Sequence, residues 1–145
     1  MDPENPGASA PDVRTLLEAA RTIAVVGASA NPAKAANRIP ASLIEAGYRV
    51  IPVNPTADAI LGEQAYPTLA DVPVPIDIVD VFRPTDEAPD IARQAAAVGA
   101  KALWLQLGVA SDEARAVATE AGLDYVEDRC IGAGVHQLGI SVAAS

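Results

Sequence analysis

Between positions 27 and 38 the chain reads Gly27-Ala28-Ser29-Ala30-Asn31-Pro32-Ala33-Lys34-Ala35-Ala36-Asn37-Arg38. A glycine lets the backbone turn sharply and approach a ligand closely, Ser29 and Asn31 bring short polar side chains, and Lys34 and Arg38 put positive charge near the start of a helix. Cations are unfavourable at a helix N-terminus unless an anion offsets them, so this pattern predicts a phosphate cradle built from Gly27, Ala28, Ser29, Asn31, Lys34 and Arg38. The second and third glycines of a dinucleotide G-x-G-x-x-G are missing, as is the G-K-[ST] of a P-loop.

Four other short segments carry chemistry. Val53-Asn54-Pro55 puts a neutral amide where an NAD site usually has a carboxylate for the ribose hydroxyls. Val81-Phe82-Arg83-Pro84 sets an aromatic ring beside a cation, a pair able to pack an adenine and neutralise a phosphate. In Gln106-Leu107-Gly108 the amide ends an apolar run and must find a partner. Glu127-Asp128-Arg129-Cys130 is a further polar end. No Ser-His-Asp set has convincing spacing, and no general base for Ser29 is identifiable, so no catalytic residue is predicted.

The elements that must position these segments alternate between short β-branched runs and Ala-rich stretches of helical spacing, the pattern of βαβ units. Asp12 caps a helix to about Ala20, with Val13, Leu16, Leu17 and Ala20 on one face. The first strand is Thr22–Gly27, followed by a polar loop and a helix from about Arg38 to Glu45 that Gly47 stops. The second strand, Arg49–Val53, contains Pro52, which is easier to place if one edge of the backbone is not fully paired. After a weak stretch, Ile60 to Tyr66, and a turn-rich segment at Thr68–Pro73, the third strand covers Ile76–Phe82. It carries Asp77 and Asp80, whose opposite parity places at least one near a strand end or polar crevice. A helix follows from about Ala88 to Val98, then a fourth strand, Ala102–Leu107, in which Trp104 is a core residue. A helix capped at Ser111 or Asp112 and a short fifth strand at Tyr125-Val126 complete the pattern. Right-handed crossovers make this an α/β, three-layer, Rossmann-like, doubly wound parallel sheet of five strands, for which the order 3-2-1-4-5 is expected. Ligands of such sheets bind beyond the carboxyl ends of the strands, so all the segments above share one rim. Residues 1–11 read as a flexible leader, 12–131 as the domain, and 132–145 as a Gly/Ala-rich tail with His136 at the surface.

Composition narrows the function classes. The chain has 145 residues, half of them hydrophobic and a fifth charged, which suits one domain with a core. No apolar run approaches the ~20 residues that cross a bilayer, and the N-terminus lacks the pattern of a secretory signal, so a cytoplasmic protein with no membrane association is expected. Ten basic against nineteen acidic residues, net −9, and only five aromatics argue against nucleic acid as a partner. One cysteine, Cys130, and one histidine, His136, cannot build a disulfide framework or a Cys/His zinc site, and no metal is predicted.

Taken together, Gly27-Ala28-Ser29-x-x-Pro32-x-Lys34, Val50–Pro55, Asp77–Arg83, Ala102–Gly108 and Asp128-Arg129-Cys130 resemble the stand-alone bacterial CoA-binding proteins over about residues 14 to 131. Those proteins are similar to the nucleotide-binding domain of the succinyl-CoA synthetase α chain without its catalytic partner domains. The resemblance implies that coenzyme A or an acyl-CoA lies along the strand-end rim. Gly27, Ser29 and Lys34 would hold phosphate, Asn54 and Pro55 would line the nucleotide pocket, and Phe82, Arg83, Gln106 and Gly108 would complete it. Arg129 and Cys130 match the family's closing motif. Exchange between Cys130 and the CoA thiol would need an exposed thiolate. Ala36 stands where the family commonly has Ser, and Ile131–His136 replaces its usual polar ending.

The leading expectation is therefore a CoA-binding module with no catalysis of its own. The alternative on the same fold is an NAD(P)-binding enzyme or redox sensor, against which the neutral Asn54 counts. A third reading is an interaction module, a homodimer packed through Ala-rich helix faces. Fold alone does not decide among these, and the rim residues must.

Overall fold

The computed structural model describes residues 12–142; the expected leader, residues 1–11, lies outside the described residues. The first helix, α1, spans Val13–Ala19, and its cap Asp12 accepts from the N–H of Thr15 at 3.4 Å and from the Thr15 hydroxyl at 2.9 Å. Strand β1 (Thr22–Val26) leads into α2 (Ala35–Glu45) and β2 (Arg49–Val53). The weak stretch is a small antiparallel hairpin, β3 (Ala59–Ile60) and β4 (Glu63–Gln64). Then follow β5 (Ile78–Val81), α3 (Ala88–Ala97), β6 (Ala102–Leu105), α4 (Asp112–Glu120), β7 (Asp124–Val126) and α5 (Ile131–Gln137).

The main sheet is parallel throughout, and its order is β2-β1-β5-β6-β7. In terms of the five predicted strands this is 2-1-3-4-5, so the expected order 3-2-1-4-5 is corrected: the third strand lies beside the first, not outside the second. Pro52 supplies the physical reason. It pairs with Val25 of β1 on one side, and having no N–H it cannot serve a full ladder on the other, so β2 is an edge strand. Its free edge is covered only at the end, where the N–H of Tyr66 donates to the Pro52 carbonyl and that of Asn54 to the Tyr66 carbonyl. β5, buried at all four positions, takes the central place that its apolar run suits.

The two faces of the sheet hold two cores. On one, Ile23, Val25, Ile78 and Trp104 pack with Leu17 of α1, Leu43 of α2 and Ile131 and Val135 of α5. On the other, Ala24, Val79, Val81, Leu103 and Leu105 meet α3 and α4. Fully burying one of these larger side chains contributes about 1.5–3 kcal/mol. Trp104 is fully buried, as expected, and its indole N–H donates to the Arg129 carbonyl at 2.8 Å. The Ala-rich faces are consumed internally, with Ala88, Ala92 and Ala95 of α3 and Ala114 and Ala118 of α4 all in the second core.

Two features differ further from the expectation. The expected Gly/Ala-rich tail, 132–145, packs as part of the domain as far as residue 142, with 143–145 outside the described residues: α5 buries Ile131, Gly132, Gly134 and Val135, and Ile140 and Val142 join the first core, while His136 is exposed. Gly132 permits this close approach to α2, since a Cβ there would sit 3.1 Å from both Ile39 Cγ2 and Ser42 Oγ. Helix α2 also begins three residues before the predicted Arg38, at Ala35.

The two acids of the third strand part as their parity requires. Asp77 sits before β5 and accepts from the N–H groups of Arg21 (2.9 Å) and Thr22 (3.0 Å), with Lys101 at 3.5 Å. Partial burial pushes its pKa up, but those bonds and the lysine outweigh it and hold the carboxyl below its ordinary value. Asp80 lies inside the strand, 0% exposed between Val25 and Trp104, and neither carboxylate oxygen has a hydrogen-bond partner among the described residues. Burial alone raises its pKa well above the usual carboxylate range.

Candidate functional site

With β5 beside β1, the chain reverses direction across the sheet between these two strands, and such a switch point opens a crevice at the strand ends. A cleft of about 860 Å³ lies there, lined by the loop after β1, the end of β2 and the start of α3. This volume is within the ~300–1,000 Å³ common for small-molecule sites. Gly27, Ala28, Ser29, Asn31, Lys34, Asn54, Pro55 and Arg83 of the predicted residues all line it.

The loop after β1 is held by its own short side chains. Ser29 Oγ accepts from the Asn31 N–H at 3.0 Å, and Asn31 Oδ1 accepts from the Ala33 N–H at 2.9 Å. The acceptor atoms of both side chains thus brace the backbone, while the Ser29 hydroxyl proton and the Asn31 Nδ2 take no acceptor among the described residues. The N–H groups of Ala28 and Ala30 take no partner among the described residues either, so main-chain donors are on offer as well. Lys34 is the N-cap of α2, makes no side-chain cap bond, and forms no ion pair among the described residues. A free cation at a helix N-terminus is unfavourable unless an anion offsets it, and unpartnered amides add donors beside it.

Asn54 is tied up in the same way. Its Nδ2 donates to the Ala28 carbonyl at 2.9 Å, and its Oδ1 accepts from the N–H groups of Thr56 and Ala57 and from the Thr56 hydroxyl. It stitches the second loop to the first and forms part of the wall.

Arg83 reaches the cleft because of Gly27. A Cβ at Gly27 would lie 2.9 Å from both Arg83 Cδ and the Phe82 carbonyl oxygen, and Gly27 has φ +89°. The arginine stem therefore lies across the glycine. Its guanidinium donates from Nε to Glu87 Oε1 (2.9 Å) and from Nη2 to Glu87 Oε2 (2.7 Å). That pairing holds the Glu87 carboxyl below its ordinary pKa and raises that of Arg83. The bidentate pair uses one edge of the guanidinium and leaves the Nη1 donors unbonded among the described residues.

The sequence reading missed the opposite wall: Asp86, Glu87, Asp90, Ile91 and Gln94 of the α3 side, with Thr56, Pro67 and Thr68. The signal in the sequence is Pro84 followed by Thr85-Asp86-Glu87, acids at a helix start that dipole complementarity alone would explain. The cleft thus has a basic pole at the first loop and an acidic pole at α3.

Six predicted residues lie outside the lining. Arg38 folds back to donate to the carbonyls of Pro32 and Ala33, bracing the loop from behind. Phe82 packs against the first core. Gln106 is buried, and its Oε1 accepts from the Ile131 N–H at 3.0 Å, capping α5. The Gly108 N–H donates to Asp128 Oδ1 at 2.7 Å, tying together the loops after β6 and β7. Arg129 is exposed, and its carbonyl serves Trp104. Cys130 caps α5, its Sγ accepting from the Ala133 N–H at 3.4 Å. Among the described residues no group of three or more His, Cys, Asp or Glu is placed to hold a metal ion, and no helix is long and apolar enough to cross a membrane.

The family model described as a CoA binding domain matches residues 21–135, nearly the whole described chain and the entire cleft. The chain belongs to this family. The uncharacterised protein YneT of Bacillus subtilis (strain 168) is 36% identical over 128 residues, which are 88% of this chain and 93% of that protein. A solved structure of a hypothetical protein from Pyrococcus horikoshii OT3 superposes with a TM-score of 0.87 at 36% identity, covering 95% of this chain and 99% of that one. The ADP-forming acetate–CoA ligase II of Archaeoglobus fulgidus is 31% identical over 117 residues, 79% of this chain but only 16% of the ligase. The CoA binding domain therefore occurs both as a stand-alone chain and inside a much longer enzyme, and its relatives include archaeal as well as bacterial proteins.

Proposed function

We propose that this CoA binding domain protein binds coenzyme A or an acyl-CoA in the cleft between the β1 and β5 loops, and that it does so without catalysis of its own. The observation that carries the reading is the basic pole. Ala28 and Ala30, whose N–H groups take no partner among the described residues, Lys34 with its free ammonium and Arg83 with its open edge all line the cleft, and phosphate oxygens would complete them. The acidic pole, with Asp86, Asp90 and Gln94, suits the N–H and O–H donors of an adenosine or pantetheine. An NAD site would want a carboxylate at the end of β2, whereas Asn54 is there and its amide is spent on Ala28, Thr56 and Ala57.

Thermal unfolding in parallel with CoA, acetyl-CoA, NAD and ATP tests this. A ligand at about 100 times its Kd stabilises the native state by about 2.7 kcal/mol, a rise of several degrees in Tm. CoA or acetyl-CoA is expected to produce that rise and NAD to produce none. A shift with NAD, and none with CoA, would overturn the reading.

A further inference from the structure

Three polar side chains are buried among the described residues: Asp80, Gln106 and Asn37. Asp80 has no partner among them and Gln106 caps α5, but Asn37 reaches from the first turn of α2 into the loop after β1. Its Nδ2 donates to the Ser29 carbonyl at 2.8 Å. The Ser29 N–H, in turn, donates to the Ala36 carbonyl at 3.1 Å. In a regular helix the Ala36 carbonyl would take the N–H of residue 40, but residue 40 is Pro40 and has none. Helix α2 thus grips Ser29 by both its N–H and its C=O, using a buried amide and a carbonyl that a proline has left free.

This grip falls between the two residues whose N–H groups are unpartnered, Ala28 before Ser29 and Ala30 after it, and all three line the cleft. We propose that Asn37 is a positioning residue for the anion site: by fixing Ser29 it orients the main-chain N–H groups of Ala28 and Ala30 toward a ligand's phosphate oxygens. The inference rests on the phosphate-binding reading of the cleft and adds to it a residue that does not line the pocket. A flexible loop would have to order these amides at the moment of binding, and that ordering opposes affinity. A loop already held meets the phosphate without that penalty.

The test is calorimetric titration of CoA, and separately of inorganic pyrophosphate, into the wild-type protein, Asn37→Ala and the near-isosteric Asn37→Asp, with Tm measured for each. Backbone amide NMR shifts of Ala28 and Ala30 are followed in the wild type as pyrophosphate is added. Asn37→Ala is expected to weaken both ligands about tenfold, and Asn37→Asp, which replaces the donor by a charged acceptor, to weaken them further. The Ala28 and Ala30 amides are expected to shift on titration. Wild-type affinity in Asn37→Ala would overturn the proposal, and should that variant not fold, wild-type affinity in Asn37→Asp does the same. Amides that stay still while affinity falls would also overturn it, because Asn37 would then act elsewhere. Pyrophosphate binding without CoA binding would sink the CoA reading while leaving Asn37 to be judged on pyrophosphate. Binding of neither to the wild type would sink both.

Discussion

The rim has two halves that look alike in sequence and differ in what their polar groups do. After β1 and β5, the side-chain oxygens of Ser29 and Asn31 brace the loop, while their own donors, main-chain N–H groups, the Lys34 ammonium and one edge of Arg83 take no partner among the described residues. After β6 and β7, Gln106 Oε1 accepts from the Ile131 N–H, Asp128 from the Gly108 N–H and the Arg129 carbonyl from Trp104, while the exposed Arg129 guanidinium takes no partner among the described residues and lies outside the cleft lining. Glycine, amide and arginine occur in both halves. The difference lies in the crevice: the loops after β1 and β5 line it and those after β6 and β7 do not, so a polar strand end is a candidate for binding only where the switch point beside β1 opens a cleft.

The strongest way to break this contrast is Gly27→Ala. A Cβ at φ +89° and 2.9 Å from the Phe82 carbonyl strains the backbone and displaces Arg83, so stability is expected to fall by roughly 2–5 kcal/mol in urea unfolding, with CoA binding lost. Arg83→Ala is expected to spare stability and weaken CoA roughly ten- to a hundredfold by calorimetry, the loss of a charge-assisted phosphate bond worth about 1.5–3 kcal/mol. Gln106→Leu should do the reverse, costing roughly 1–3 kcal/mol of stability because the Ile131 N–H is left buried and unpaired, with CoA affinity unchanged. A tenfold loss of affinity there would erase the distinction between the halves.

Asp80 lies on the seam between them and predicts a pH dependence. Its folded-state pKa is raised, so between its unfolded value, near 3.8, and its folded value the native state holds the extra proton. Its contribution is thus fully present below the unfolded pKa and is lost as pH rises through the folded one, with a slope of at most about 1.4 kcal/mol per pH unit. Urea unfolding across pH 4–8 is expected to show this decline in the wild type and a flatter profile in Asp80→Asn. The smallest effect belongs to Cys130→Ser: a sulfur that only caps α5 should change stability and CoA affinity by less than about 0.5 kcal/mol or a factor of two, and a larger loss of affinity would draw the thiol into the site.

Much of this was legible in the residues. The five parallel strands, the first loop and eight of the cleft residues follow from β-branched runs, helix stops and strand-end polar groups. The strand order was also written there, in Pro52, whose missing N–H makes β2 an edge. α5 was hidden because Gly132 and Gly134 disfavour an isolated helix by about 1 kcal/mol each, whereas tertiary packing against Ile39 and Ser42 repays small residues at that crossing. Spacing cannot reveal the fates of Asn54, Arg38 and Gln106, because a donor's partner is chosen by neighbours distant in sequence.

The last described residues carry a consequence for how the chain folds. The N–H of Val142 donates to the Ala46 carbonyl at 2.8 Å, and Gly47 lies so close to the Val142 carbonyl that no side chain fits between them. Together with α5, this segment completes the layer begun by α1 and α2. That layer joins residues from Leu17 to Val142, whereas the core on the α3 and α4 face draws on buried residues from Ala24 to Leu123. Contacts of the longest sequence separation must close the largest loops before they are rewarded, so the seating of Val142 against Ala46 is expected among the late events of folding.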